Sequence, residues 1–156
     1  MTAAERSGQG GEVIAAFPAT GKTYVAGRDA RFADSDSSHF AWVWHGFDVR
    51  ERHPDWPANY LAHVRRLFAD GKTVLCSTHQ EVRDALVAAE VPFTLVYPAR
   101  SCRTEYLERM RERGSDERLL TLIDARWDDL IASCEAQQGC EHIVLPEGCY
   151  LSYVLS

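Results

Sequence analysis

The chain has no apolar run approaching the roughly 20 residues that a membrane span requires. It has no Cys-x-x-Cys pair, and its five cysteines (Cys76, Cys102, Cys134, Cys140 and Cys149) are odd in number. Neither a zinc ribbon nor a fully paired disulfide framework follows from that spacing. Cys134, Cys140 and His142 lie close in sequence, but no fourth ligand accompanies them, so reduced thiols in a cytoplasmic protein are the expectation. An excess of positive charge is also missing. The formal charge is −6, which argues against a nucleic-acid polymer as partner. The opening MTAAERSGQGGE lacks the hydrophobic core of a signal peptide. No internal repeat and no low-complexity segment appear.

What is present is ordinary for one globular domain: 156 residues, 46% hydrophobic and 26% charged. Residues 1–11 are expected to be a flexible lead-in and 12–156 a single domain. EVIAAF, 12–17, reads as a buried strand, followed by a turn and a short helix over 22–27. RFADSD, 31–36, reads as a second strand ending in two acids. Residues 37–57 read as irregular and aromatic. Helical periodicity returns over 58–70, where Tyr60, Leu61, Val64, Leu67 and Phe68 share a face and Gly71 stops the helix. Strands are predicted at 73–77, 93–98 and 142–146. Helices are predicted at 80–90, 103–113 and from Asp116 to about 137, with a short helix at the C-terminus. Strands that are continuous apolar runs and alternate with helices define an α/β fold with a mostly parallel sheet covered on both faces. Ligands in such folds bind beyond the carboxyl ends of the strands.

The segment Ala16-Phe17-Pro18-Ala19-Thr20-Gly21-Lys22-Thr23 follows the first strand. A small residue, four free positions and Gly-Lys-Thr form a phosphate-binding loop. Backbone N–H groups cradle phosphate, Lys22 reaches the β- and γ-phosphates, and the Thr23 hydroxyl meets Mg²⁺. Ala16 stands where the pattern begins with Gly, at the cost of strain if that position needs positive φ. Pro18 removes one N–H and stiffens the loop.

Asp34 and Asp36 follow the second strand two residues apart, and so share a side. They are candidates to hold metal-bound water or a substrate hydroxyl, and Asp36 is a candidate general base. Among the aromatics, Phe40 and Trp44, with Trp42 and Trp56, are candidates to stack on a base. Arg109 and Arg113 lie on one helix face, with Arg103 at its start, and suit a clamp on phosphoryl oxygens. The i,i+4 pair Glu105–Arg109 equally fits a solvated helix face. Ser77, Thr78, His79 and Arg83 follow the third strand and lie beside the phosphate loop if that strand neighbours the first. No Asp closes the third strand, which leaves Ser77, Thr78 or Asp34 to order a magnesium ion.

The order of Ala16–Thr23, DSDSSHF, DWPANYLAHV, STHQEVRDAL and LVYPARSCRTEYLERMRERG resembles small P-loop kinases. The similarity is to the phage and bacterial group related to deoxynucleoside monophosphate kinases and adenylate kinase-like proteins. It runs from about residue 12 to 153. The resemblance implies a three-layer P-loop NTPase fold with about five parallel strands and the phosphate-loop strand in the middle. It implies ATP with Mg²⁺ as donor, and a nucleoside or deoxynucleoside monophosphate as acceptor. Segment 37–66 would bind the acceptor, and 100–114 would be a lid carrying Arg109 and Arg113. Arg83 would meet the acceptor phosphate, and 146–151 would lie near the adenine. Metal binding would fall to Thr23 and Asp34. Two other readings stay open: a kinase of small-molecule hydroxyls with Asp36 as base, and a non-catalytic ATP-binding regulatory module. The working unit is expected to be a monomer or homodimer.

Overall fold

The computed structural model describes residues 11–155 except 46–49, and for Ser38, His39 and Trp44 the backbone alone. Apart from Gly11, the expected flexible stretch 1–11 therefore lies outside the described residues.

Five strands form one parallel sheet: β1 Val13–Ala16, β2 Phe32–Asp34, β5 Thr73–Cys76, β6 Thr94–Pro98 and β7 Glu141–Leu145. Their order is β2-β5-β1-β6-β7, so β1 is central. Ala15 stands opposite Cys76 on one side and Leu95 on the other. Every residue of β1 is buried, which is why it reads as an uninterrupted apolar run. Its side chains alternate between two cores. Val13 and Ala15, with Phe17 beyond, face the larger one, and Ile14 and Ala16 the smaller.

The larger core lies under α3 Ala58–Ala69, α4 Gln80–Ala88, α5 Arg103–Glu112 and α6 Glu117–Ala136. Its centre is aromatic. Phe17 meets the Trp127 ring edge-on at 5.5 Å and the Tyr106 ring at 6.1 Å, favoured geometries for ring quadrupoles. The Trp127 indole donates to the Arg100 carbonyl at 2.8 Å, so its polar atom is satisfied while the ring is buried. The smaller core is closed by Val25 of α1, Lys22–Arg28, and by Leu151 of the C-terminal 3₁₀ turn Leu151–Tyr153. Helix ends follow their local signals. Gly71 takes φ 83° past α3, and the Asp116 carboxylate accepts from the Arg118 N–H at the start of α6.

The structure differs from the sequence reading over 37–57. A short helix, α2 Ser38–Ala41, leads into an antiparallel hairpin of β3 Trp42–Trp44 and β4 Arg50–Arg52. Trp42 stands opposite Arg52 and Trp44 opposite Arg50. The Arg50 and Arg52 guanidinium groups lie 3.9 and 4.3 Å from the Trp42 ring centre. Cation–π contact thus replaces the apolar alternation that usually marks a strand. Among the described residues, no helix is long and apolar enough to cross a membrane.

Candidate functional site

The chain turns between β1 and α1 with Ala19 at φ 66° and Gly21 at φ 102°. A Cβ on Gly21 would sit 3.6 Å from Tyr150 Cδ1. There is room for it, so the glycine is required by its dihedral rather than by space. Ala16 is the last residue of β1, fully buried, and not among the residues of positive φ. The expected strain at Ala16 is therefore absent. Burial sets the small side chain there, and the left-handed non-glycine residue is Ala19.

The turn separates its carbonyls from its amides. The carbonyl of Ala16 accepts from Lys22 Nζ at 2.8 Å, and that of Phe17 from the Thr20 hydroxyl at 2.7 Å. The carbonyl of Ala19 accepts from Arg109 Nη1 at 3.0 Å, and that of Thr20 from the Leu151 N–H at 2.9 Å. By contrast, the N–H groups of Ala19, Thr20, Gly21, Lys22 and Thr23 donate to no protein acceptor among the described residues. Pro18, with no N–H, precedes that run. A sequence of unpaired amides beside an ammonium group has the chemistry to cradle an anion.

Lys22, Thr23 and Gly21 line a cavity of about 560 Å³ together with Ala19, Tyr24, Arg109, Glu112, Arg113 and Tyr150. That volume is in the range of small-ligand sites. Desolvation lowers the Lys22 pKa to about 8, against the opposing pull of Asp34 and Cys76, and Arg113 lowers it further. Burial likewise pushes the neighbouring Cys76 thiol up to about 12, so it stays protonated and inert. The Thr23 hydroxyl donates to Asp34 Oδ2 at 2.9 Å. A hydroxyl and a carboxylate side by side are hard oxygen donors that fit a magnesium ion. Ser77, one of the two other candidates beside Thr78, donates instead to the Ser37 hydroxyl at 3.0 Å. Asp34 is thus the carboxylate brought to Thr23.

A second group gathers around His79. The His79 ring is affected first by burial, which lowers its pKa, and then by the fields of Glu81, Arg52, Asp36 and Lys22. His79 meets the Trp56 ring edge-on at 6.4 Å, Trp56 stacks on Tyr60 at 5.8 Å, and Phe40 packs on Tyr60 at 5.4 Å. The Tyr60 hydroxyl donates to the Ser35 carbonyl at 2.6 Å, pinning the turn that presents Asp36. Arg52 lies 5.8 Å from the Trp56 ring centre, and 3.9 Å separates it from the Glu81 carboxylate. The Trp44 side chain expected here lies outside the described residues.

The four arginines singled out in the sequence differ in their surroundings. Arg83 is 3% exposed. Its guanidinium donates to the carbonyls of Thr78 and Ser133, the Ser133 hydroxyl and Gln137 Oε1. Those bonds fasten α4 to α6 and engage all three guanidinium nitrogens within the protein. Arg103 is paired with Asp124 of α6, away from the cavity. Arg109 borders the cavity, but its polar atoms are engaged with the loop and its surroundings. Only Arg113 of the expected clamp lines the cavity without such ties. Its Nε donates to Ser115 at 2.7 Å.

Sequence reasoning missed Arg52, Tyr24 and Glu112, whereas Tyr150 falls in the segment 146–151 that the resemblance placed near a nucleotide. Arg52 carried no sequence signal, because neither Arg-Glu-Arg nor Trp-Val-Trp alternates apolar with polar residues. Among the described residues, no three of His, Cys, Asp and Glu cluster as a metal site. Cys134 and Cys140 are free thiols, and His142 Nδ1 is 3.0 Å from the Tyr97 hydroxyl. Compared with known proteins, the chain matches no family model and no curated sequence.

Proposed function

We propose that the protein is an ATP-dependent phosphotransferase of the P-loop kinase kind, with a nucleoside or deoxynucleoside monophosphate as acceptor. The observation that carries this reading is the cavity lined by Ala19, Gly21, Lys22 and Thr23. Unpaired loop amides, a desolvated Lys22, Thr23 beside Asp34, and Arg113 converge there. Such a set suits the triphosphate of a nucleotide.

In this reading Lys22 leaves the Ala16 carbonyl and takes the phosphate oxygens. The loop amides hold the β-phosphate. Thr23 and Asp34 would hold Mg²⁺, which supplies neutralising charge to the phosphate oxygens. Arg113 stabilises charge on the group in transfer. An acceptor phosphate oxygen forms the new bond to the γ-phosphorus, the bond to the β–γ bridging oxygen breaks, and ADP leaves. The acceptor lies on the Asp36 side, with Phe40 and Trp56 as its apolar wall. Since Arg83 is spent on α6, Arg52 is the guanidinium that meets the acceptor phosphate. A phosphate acceptor needs no strong base, and positioning supplies most of the rate.

Asp36, beside His79 and exposed at this site, favours a second reading, a hydroxyl acceptor with Asp36 as base. Incubation with ATP, Mg²⁺ and a panel of ribo- and deoxynucleoside monophosphates tests the first. ADP formation that depends on the acceptor is expected. ATP binding with no acceptor-dependent ADP sinks it and leaves a regulatory ATP-binding module. Asp36→Asn separates the two transfer chemistries: it weakens transfer to a phosphate and abolishes transfer to a hydroxyl.

A further inference from the structure

Arg109 makes a set of contacts that a phosphoryl clamp does not need. Its Nη1 donates to the Ala19 carbonyl at 3.0 Å, and its Nη2 to the Cys149 carbonyl and Glu105 Oε2, both at 3.1 Å. Its guanidinium carbon lies 3.8 Å from the Tyr150 ring centre and 4.4 Å from that of Tyr106. The side chain is only 9% exposed. Glu105 completes the arrangement, because its other oxygen accepts from the Gly148 N–H at 2.8 Å. Three separate pieces of chain meet on one guanidinium: the loop after β1, helix α5, and the segment 148–151 after β7.

The loop gives this meeting its purpose. Ala19 is held at φ 66°, a conformation that costs a non-glycine residue free energy and persists only where its surroundings impose it. Arg109 holds the carbonyl of that same residue, and Leu151, carried by the segment that Arg109 and Glu105 fix, holds the next one. With these carbonyls engaged, the amides of 19–23 are left without a protein acceptor among the described residues, and Ala19, Gly21, Lys22 and Thr23 line the cavity. A planar fork with several donors suits the task, and a lysine ammonium does not.

We propose that Arg109 is a positioning residue. It fixes the anion-binding form of the loop from outside, by tying Ala19 to the 148–151 segment, and it does not touch the phosphoryl group in transfer. The kinetic part of the test rests on the phosphotransferase reading, and the structural part does not.

The test compares Arg109→Ala, Arg109→Lys, Glu105→Gln and Arg113→Ala in the full chain. The first measurement is NMR-detected amide exchange without nucleotide, at Gly148 and Leu151. Both Arg109 variants should exchange there about tenfold faster, the effect of losing one charge-assisted hydrogen bond, and Glu105→Gln should shift in the same direction. The second is ATP affinity by calorimetry and kcat with the best acceptor. Arg109→Lys, the variant expected to fold most readily, should bind ATP about tenfold more weakly with kcat within about threefold. Arg113→Ala should show the reverse split. Unchanged exchange in both Arg109 variants overturns the proposal. So does a kcat loss of about a hundredfold at unchanged ATP affinity, which is the mark of a direct clamp. If the wild-type chain transfers no phosphate, the kinase reading fails, while exchange and ATP affinity still decide the role of Arg109.

Discussion

The Thr23 hydroxyl donates to Asp34 Oδ2 at 2.9 Å, joining the first turn of α1 to the end of β2. The two residues are eleven apart in sequence and on different elements. They meet because β2 joins the sheet through β5, with Asp34 opposite Leu75. Asp34→Asn keeps the shape and an acceptor oxygen but loses the charge that a hard cation needs. The half-saturating Mg²⁺ concentration for ADP formation should then rise on the order of tenfold or more. An unchanged Mg²⁺ requirement would place Asp34 outside the reach of the ion.

Under the proposed function, the depressed Lys22 pKa makes ATP affinity depend on pH. Without nucleotide the ammonium gives up its proton at about pH 8. Bound phosphate favours the charged form and raises that pKa, so binding above pH 8 takes up a proton. Affinity should therefore fall as pH rises from 8 toward 10, by up to about tenfold per unit. Folding stability should move the other way. The unfolded chain keeps this proton until its ordinary 10.5, so between about 8 and 10.5 the unfolded state binds more protons and stability gains with pH. Titration calorimetry at several pH values checks the first trend. In Lys22→Arg, which stays charged throughout, any remaining slope must come from another group.

Gly21 offers a test of dihedral against volume. An added methyl has space beside Tyr150 but not the backbone region, since φ is 102°. Gly21→Ala should fold and lose about 1–2 kcal/mol of stability. It should also weaken ATP binding about tenfold, because relaxing the strain turns the Lys22 and Thr23 amides away from the cavity. Wild-type affinity in this variant would show that the loop needs no left-handed residue at this position.

The central strand and most helices were legible because their signals are local. Val13–Ala16 is buried on both faces and reads so, and Gly71 announces the end of α3 by the dihedral it permits. The turn from β1 into α1 was legible for the same reason, since Gly-Lys-Thr after an apolar strand is a contiguous pattern. The hairpin was not. Its strands are three residues each and are stabilised by guanidinium groups on an indole, so they carry no apolar alternation. The arginines were the hardest to read. In sequence Arg83 and Arg109 look alike, basic residues on helices near the site. What separates them from Arg113 is a set of partners 40 to 90 residues away, and no local pattern encodes those.

Arg83 therefore gives the sharpest contrast between the resemblance and the structure. As a ligand of the acceptor phosphate, its loss would raise the acceptor KM and leave stability nearly untouched. Buried as it is, its loss strands the Thr78 and Ser133 carbonyls and Gln137 Oε1 without their donor. Arg83→Ala should cost about 3 kcal/mol, the scale of losing hydrogen bonds to a charged group inside a protein. For a domain of this size the melting temperature should drop by roughly 10 °C. Measured well below that temperature, the acceptor KM should stay within about threefold of wild type, since one fully lost phosphate contact would exceed that. Arg52→Ala should do the opposite, because its guanidinium is half exposed and its partners, Trp42, Trp56 and Glu81, belong to the hairpin and the site rather than the core: a raised acceptor KM with a melting temperature lowered by only a few degrees. Should Arg83→Ala raise KM at full stability instead, the guanidinium would have to leave α6 to reach substrate, and the static burial seen here would describe only the resting form.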